Sequence, residues 1–247
     1  MSFIKNSTLT AGLISLLSLT TIAAKPSQAA VIDFNSWNST GDVSIQGSGQ
    51  VNMSNSSFGF GDDTDFNPSN PDAYNYTQNN VSTEANGSLQ NFVGVNNNDL
   101  DINGQAFEGS AVKTTITALA GDKLNFKWNF LTNETATSAP FTPLNDFAFV
   151  SINGVVNKLA DFTNASNSSN FFDSETGQNA FSYTFAQQGN YQVGIGVVDI
   201  DDYGVTSALQ VTNAEVEPVP EPLTILGTGV AAGFGFMFRR KRSKKQA

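Results

Sequence analysis

The chain is 247 residues long, with 12 Lys and Arg against 22 Asp and Glu, a net charge of −10, and neither Cys nor His. Those two absences exclude a Ser-His-Asp triad, a Cys nucleophile, zinc-finger ligation and iron–sulfur clusters, leaving oxygen-ligated ions such as Ca²⁺ as the natural metals. The acidic balance speaks against a nucleic-acid binder, which carries a basic footprint, while 39% hydrophobic residues, 11% aromatic, suffice for a packed core.

The charges are segregated along the chain. Lys5 and Lys25 give the start +2, and six cations from Arg239 to Lys245 give the tail +6. Every acid lies between Asp33 and Glu221, where Lys113, Lys123, Lys127 and Lys158 are the only cations, so the middle carries −18. Residues 1–30 read as a signal peptide. Lys5 supplies a positive n-region, Leu9 to Ala24 an apolar h-region, and Ser27-Gln28-Ala29 the small residues of a cleavage site. An exported body without Cys must be held by burial, hydrogen bonds or metal rather than by disulfides.

The body, residues 31–217, is dominated by period-2 patterns. Residues 54–88 are polar and loop-like, with Asp62, Asp63, Asp65, Pro68 and Pro71. Asp99-Leu-Asp101-Ile-Asn103-Gly104 matches the first half of an EF-hand loop, but Ser110 stands where its bidentate Glu belongs, so a polar turn is expected. Asp63-Thr-Asp65-Phe-Asn67 has the same spacing with Pro68 in place of Gly, and reads as a solvated loop. Val112, Thr114, Ile116 and Ala118 make a one-faced stripe that ends at Gly121-Asp122, read as a hairpin turn. Lys123 to Phe130 alternates without a break, placing Leu124, Phe126, Trp128 and Phe130 on one core face. Phe147 to Val156 reads as a hairpin about Asn153-Gly154. Phe181, Tyr183 and Phe185 alternate, Gln188-Gly189-Asn190 turns, Tyr191 to Val197 alternates again, and Val205 to Val216 closes the set. No stretch keeps a helical period over three turns. These features predict an all-β fold, a single antiparallel β-sandwich of jelly-roll type.

Several acids fall at strand ends. Glu134 follows the Trp128 strand, Asp146 opens the next, and Asp199, Asp201 and Asp202 close the Tyr191 strand. Converging carboxylates repel unless they are solvated, protonated or bridged by a cation. Ca²⁺, with 6–8 oxygen ligands in irregular geometry, is the candidate ion for Glu134, Asp146 and Asp199. The competing expectation is separate exposed acids. Two of the same carboxylates, about 5–9.5 Å apart, would also serve a polysaccharide-cleaving glycosidase, the alternative function. Tyr74, Tyr76 and Tyr203 are candidates for stacking on sugars. The body also contains 27 Asn, so the Asn-x-Ser/Thr triplets, for example at Asn38, Asn55 and Asn133, are expected from composition alone.

Residues 218–247 carry Pro220-Glu221-Pro222, an apolar stretch from Leu223 to Phe238, and the basic stop Arg239-Arg240-Lys241-Arg242. The stretch of 16 residues is about 24 Å long as a helix, short for a ~30 Å hydrocarbon core but extendable by snorkelling of Arg239. The basic cluster keeps that end cytoplasmic and the body on the far side. The order Val219-Pro-Glu-Pro, short transmembrane helix, basic end resembles the PEP-CTERM sorting signal of bacterial exported proteins. The resemblance implies recognition of the Pro-Glu-Pro motif by a membrane-embedded exosortase. It also implies processing at that end and residence at the cell surface or in an extracellular polysaccharide matrix. The strand pattern from Glu108 to Val216 resembles a jelly-roll module of other PEP-CTERM proteins. Together these readings describe an exported, exosortase-processed, non-catalytic protein, structural or polysaccharide-binding, with no nucleic-acid partner.

Overall fold

In the computed structural model, residues 28–56, 84–134, 144–201 and 203–219 are described, and all fall within one compact unit, Ser27–Val219. The leader to residue 27 lies outside the described residues. So do Pro220, Glu221, Pro222, Arg239, Arg240, Lys241, Arg242, Tyr74, Tyr76, Asp202 and the Asp63–Asn67 segment. Among the described residues no helix is long and apolar enough to cross a membrane.

Fourteen strands are described. In chain order they are β1 (Ala30–Val31), β2 (Asn38–Thr40), β3 (Asp42–Ile45), β4 (Gln50–Ser54), β5 (Glu84–Ala85), β6 (Ala106–Ala118), β7 (Lys123–Thr132), β8 (Phe147–Ile152), β9 (Val155–Asp161), β10 (Asn167–Ser168), β11 (Ser174–Glu175), β12 (Asn179–Thr184), β13 (Gly189–Ile200) and β14 (Ser207–Glu217). One short helix, α1 (Ser88–Val93), lies between β5 and β6. All pairings are antiparallel. The front sheet has the path β3-β4-β14-β7, with β12 and β11 both pairing to β7, and the back sheet the path β2-β6-β13-β8-β9. The long strands β4, β14, β7 and β12 face β6, β13, β8 and β9. Taken over these eight strands, the chain alternates between the two layers at every step except β8 to β9, which is the double Greek-key exchange of a jelly roll.

The pleat decides what fills the space between the sheets. Leu124, Phe126, Trp128 and Phe130 of β7 all point inward with Val51 and Met53 of β4 and Leu209 and Val211 of β14. They meet Val193, Ile195 and Val197 of β13 and Val150 and Ile152 of β8. The Asn153-Gly154 turn joins β8 to β9 with Ile152 opposite Val155. Its φ values of 47° and 81° give both central residues the left-handed conformation of a type I′ turn.

The Gly121-Asp122 turn does not make a hairpin. It carries the chain from β6 in the back sheet to β7 in the front sheet. It is held there by Gly121 N–H donating to Phe185 O at 2.7 Å and Phe185 N–H donating to Asp122 O at 2.8 Å. Local turn chemistry marks where a strand ends, and the partner sheet is chosen by non-local packing.

A second apolar cluster lies on the outer face of the back sheet. Leu89 and Val93 of α1 and Leu100 of the following loop cover Phe147, Phe149, Val198 and Ile200. The helix approaches closely because the strands beneath it carry Gly109 and Gly194. A Cβ on Gly194 would stand 3.0 Å from Val93 Cβ and 2.6 Å from Ser151 Oγ. The back sheet is thus buried on both faces where α1 lies, while the outer face of the front sheet has a smaller apolar cover, where Phe172 packs with Leu131 and Ala208.

Candidate functional site

Two features stand out, one inside the sandwich and one on its surface. The first is a buried polar end. Asp199 lies two residues beyond Val197 on the inward face of β13, and Glu108 of β6 is its register partner. Asp146 follows the Phe147–Val198 pair by one step, on the other side of Asp199. Three carboxylates therefore lie side by side across three back strands. Glu134, just past β7 in the front sheet, is buried as well, and each of the four is at most 3% exposed.

The front sheet meets this row with amide and hydroxyl groups. Asn55 Nδ2 donates to Asp146 Oδ2 at 2.7 Å, and Asn55 Oδ1 accepts from Ser207 N–H at 2.7 Å. Asp146 Oδ1 accepts from Ile200 N–H at 3.0 Å. Ser207 and Thr132 hydroxyls bond at 2.8 Å, and Thr132 Oγ1 accepts from Glu134 N–H. Ser110 ties the neighbouring corner, accepting from Asp42 N–H and donating to Ser54 O. Asp146 is thus an inter-sheet tie with its oxygens turned to Ile200 and Asn55. Among the described residues no group of three acids is disposed to hold one metal ion. Glu108 joins the residues read from sequence, and only the β6–β13 register reveals it.

Burial decides what these acids can reach. A glycosidase pair must meet a sugar ring from solvent, whereas Glu108, Glu134, Asp146 and Asp199 face the interior. The EF-hand-like loop also resolves into separate contacts. Asp99 Oδ2 accepts from Asn96, Asp101 Oδ1 accepts from Ala106 N–H, and Asn103 Nδ2 donates to Asn145 O. The Asp99 and Asp101 oxygens serve the loop's own backbone, as in a polar turn. Tyr203 packs edge-on against Phe107 with centroids 4.9 Å apart.

The second feature is the polar part of the front sheet's outer face, whose amide side chains are half-buried. Register places Ser44, Asn52, Gln210 and Asn129 in one transverse row across β3, β4, β14 and β7. Gln50, Thr212 and Lys127 form the next row. The side chains interlock: Gln50 Nε2 donates to Asn52 Oδ1 at 3.1 Å, Thr176 Oγ1 to Asn129 Oδ1 at 3.2 Å, and Asn129 Nδ2 to Glu175 Oε2 at 3.2 Å. Carboxamides arrayed in this way offer donors and acceptors at strand spacing, without a large apolar side chain in either row.

No family model matches the chain, and no curated protein matches it. Among solved structures it is similar to the functional form of the mosquito-larvicidal Cry4Aa toxin from Bacillus thuringiensis, with a TM-score of 0.26 and 12% identity over 47% of this chain. That match spans 19% of the toxin chain. A family 35 carbohydrate binding module from Clostridium thermocellum has a TM-score of 0.22 and 19% identity, covering 42% of this chain and 69% of the module. The CBM22-1 xylan-binding domain from Paenibacillus barcinonensis Xyn10C has a TM-score of 0.25 and 9% identity, covering 80% of this chain and 100% of the domain. Likenesses of this size settle neither ancestry nor ligand.

Proposed function

We propose that the protein is exported, processed by an exosortase at its Pro-Glu-Pro end, and works at the cell surface or in the extracellular matrix as a non-catalytic polysaccharide-binding sandwich. The observation that carries the binding reading is the row of amides on the front sheet's outer face. Ser44, Asn52, Gln210 and Asn129 span four strands, about 14 Å at ~4.8 Å per strand, which is the reach of a few sugar units. Carboxamides match vicinal hydroxyls as donor and acceptor at once. Removing Asn52, Gln210 and Asn129 together (all to Ala) should abolish retardation of the full chain in gels containing the producing cell's polysaccharide. Unchanged retardation would reject this face. Release of reducing ends would instead support the glycosidase.

The sorting reading rests on the terminal segments of the sequence. Replacing Pro220-Glu221-Pro222 by Ala should leave the chain unprocessed in the membrane, and unaltered processing would refute the role of the motif. Ca²⁺ belongs to the same proposal. Buried carboxylates are stabilised by a proton, a donor, a counter-charge or a metal, and Ca²⁺ accepts amide and main-chain oxygens along with carboxylates. Since Glu134, Asp146 and Asp199 are not gathered about one point, an ion at this end would take at most two of these carboxylates and complete its shell with amide and main-chain oxygens. A melting temperature indifferent to both Ca²⁺ and EDTA would remove it.

A further inference from the structure

On the outer face of the back sheet, three side chains from distant positions meet. Lys158 Nζ lies 2.6 Å from Asp161 Oδ2 and donates to Asn103 Oδ1 at 3.2 Å. Asn103 Nδ2 donates to the same Asp161 oxygen at 3.4 Å and to Asn145 O at 2.8 Å. An amine, a carboxamide and a carboxylate shared between them thus stand in mutual contact.

The arrangement is built by a backbone irregularity. Residues 158 and 161 differ by an odd offset, so a regular strand would send them to opposite faces. The β8–β9 register shifts between Ala148 and Phe149, leaving Lys158 opposite Phe149 and Asp161 opposite Phe147. Both side chains then share the outward face, an instance of a bulge re-aiming a side chain. Asn103 comes from the loop that caps this face before β6. Asp161 is held on its other side, where Oδ1 accepts from Thr163 N–H at 3.0 Å.

We propose that this triad is a cross-linking site, at which Lys158 and Asn103 join in an intramolecular isopeptide bond with Asp161 as the proton-transfer group. The step balances without an external reagent. Asp161 carboxylate takes a proton from the Lys158 ammonium, and the freed Nζ lone pair attacks Asn103 Cγ. An N–C bond forms there and the Cγ–Nδ2 bond breaks. Asp161 returns the proton to Nδ2, which leaves as ammonia and departs in water as ammonium. One ammonium and one primary amide are consumed, and one ammonium and one secondary amide are produced.

Three observations favour the step. Asp161 touches both the entering and the leaving nitrogen, the geometry a single acid–base group needs. Contact replaces a bimolecular encounter by an oriented one. The Asp161 side chain is only 6% exposed, so water competes poorly for its oxygens, whereas Lys158 at 34% lets the released ammonia escape. Burial pushes the Asp161 carboxyl up, but its bonds from Lys158 and Thr163 outweigh this and hold it below its ordinary value, so Asp161 stands as a carboxylate of low basicity and the linkage is slow. The bond would tie the loop before β6 to the edge strand β9, across 55 residues of sequence, in a chain with no Cys to do so.

The test is peptide mapping of the full chain after prolonged storage at neutral pH. The Lys158 and Asn103 peptides should appear as one branched species, lighter by one ammonia, with tryptic cleavage at Lys158 blocked. Asn103 also precedes Gly104, whose nitrogen can close a succinimide with the same mass loss, and Lys158→Arg separates the two. The isopeptide reading requires that Lys158→Arg abolish the loss. Asp161→Asn should slow linkage by about 10²-fold or more while circular dichroism shows the fold retained. Two separate, unlinked peptides from the aged chain, or ammonia loss that persists in Lys158→Arg, would overturn the proposal.

Discussion

Replacement of Asn55 by Ala probes the polar end of the sandwich most directly. Asn55 is wholly buried and bonds in both directions. Its Nδ2 reaches Asp146 across the sheets, and its Oδ1 takes the Ser207 N–H. The main-chain bond from Asn55 N–H to Ser207 O survives the substitution. The loss is therefore one hydrogen bond to a carboxylate, about 1.5–3 kcal/mol, and one buried N–H left unsatisfied at Ser207, about 1–3 kcal/mol. A central value of about 4 kcal/mol is a large share of the 5–15 kcal/mol typical of a domain. Guanidinium unfolding followed by tryptophan fluorescence is a suitable assay, since Trp37 and Trp128 are both in the core. The midpoint should fall with the slope unchanged. Asn55→Asp keeps the acceptor for Ser207 but sets a second carboxylate against Asp146. Its defect should match that of Ala at neutral pH and shrink in mild acid, where one carboxyl is protonated. A loss below about 1 kcal/mol for Asn55→Ala would mean that water replaces the amide. The end of the sandwich would then be open in solution.

Other substitutions test the remaining layers. Gly194→Val drives methyl groups into Val93 and Ser151. It should cost about 1–3 kcal/mol, and hydrogen exchange over α1 should accelerate more than exchange over β7. Gly154→Ala places a Cβ at φ 81° in the β8–β9 turn, and should lower stability by about 1 kcal/mol without altering the sheet's circular dichroism. While Lys158 still carries its charge, the lowered pKa of Asp161 makes stability depend on pH in one direction. The contribution is complete above the ordinary carboxylate value of 3.8 and is lost as pH falls through the lower folded value. Asp161→Asn should therefore unfold with a shallower dependence on pH below about 4, and an identical acid limb would refute the pairing.

The parts of this fold that were legible in the sequence are those where a local pattern and the global environment agree. On β7 one face is core and the other is wet, so Leu124 to Phe130 alternates in sequence as it does in burial. The Asn153-Gly154 turn was legible because two consecutive positive φ values demand those residues. On β13 the pattern runs together, with Val193 to Ile200 buried at every position because α1 covers the second face. Helix α1 itself is six residues long and too short to show a period. The strands before residue 54 are short and carry Asn, Ser and Gln on their open side, so composition alone reads them as loop.

The polar end was half legible for a related reason. Asp146 and Asp199 announce themselves as acids at the ends of apolar strands. Glu108 is embedded in a long strand, and its position beside Asp199 follows only from pairing β6 to β13. Asn55 is one of 27 Asn in the body, so nothing local marks it as the bond between the layers. The Lys158 triad was invisible because a register shift, absent from any period-2 reading, places residues 158 and 161 on one face.

The unequal cover of the two sheets constrains where function can reside. On the back sheet, an outward change at Gly194 or Gly109 strikes α1 and one at Gly196 strikes Phe149 beneath it, so that part of the face is committed to folding. On the front sheet, Asn52, Gln210 and Asn129 point away from the core, and among the described residues no helix lies over their rows. Polar side chains on such a face add little to burial, and strand propensity disfavours Asn there. Valine or threonine would suit the strands better, and would also turn the face into an adhesive surface. Retaining amides on adjacent strands, with Asn52 and Asn129 linked to neighbours rather than directed at the core, gives up strand propensity and keeps an array of donors and acceptors. That is the composition expected of a surface that meets sugars, and it is why the binding proposal rests on the front sheet rather than on the buried acids.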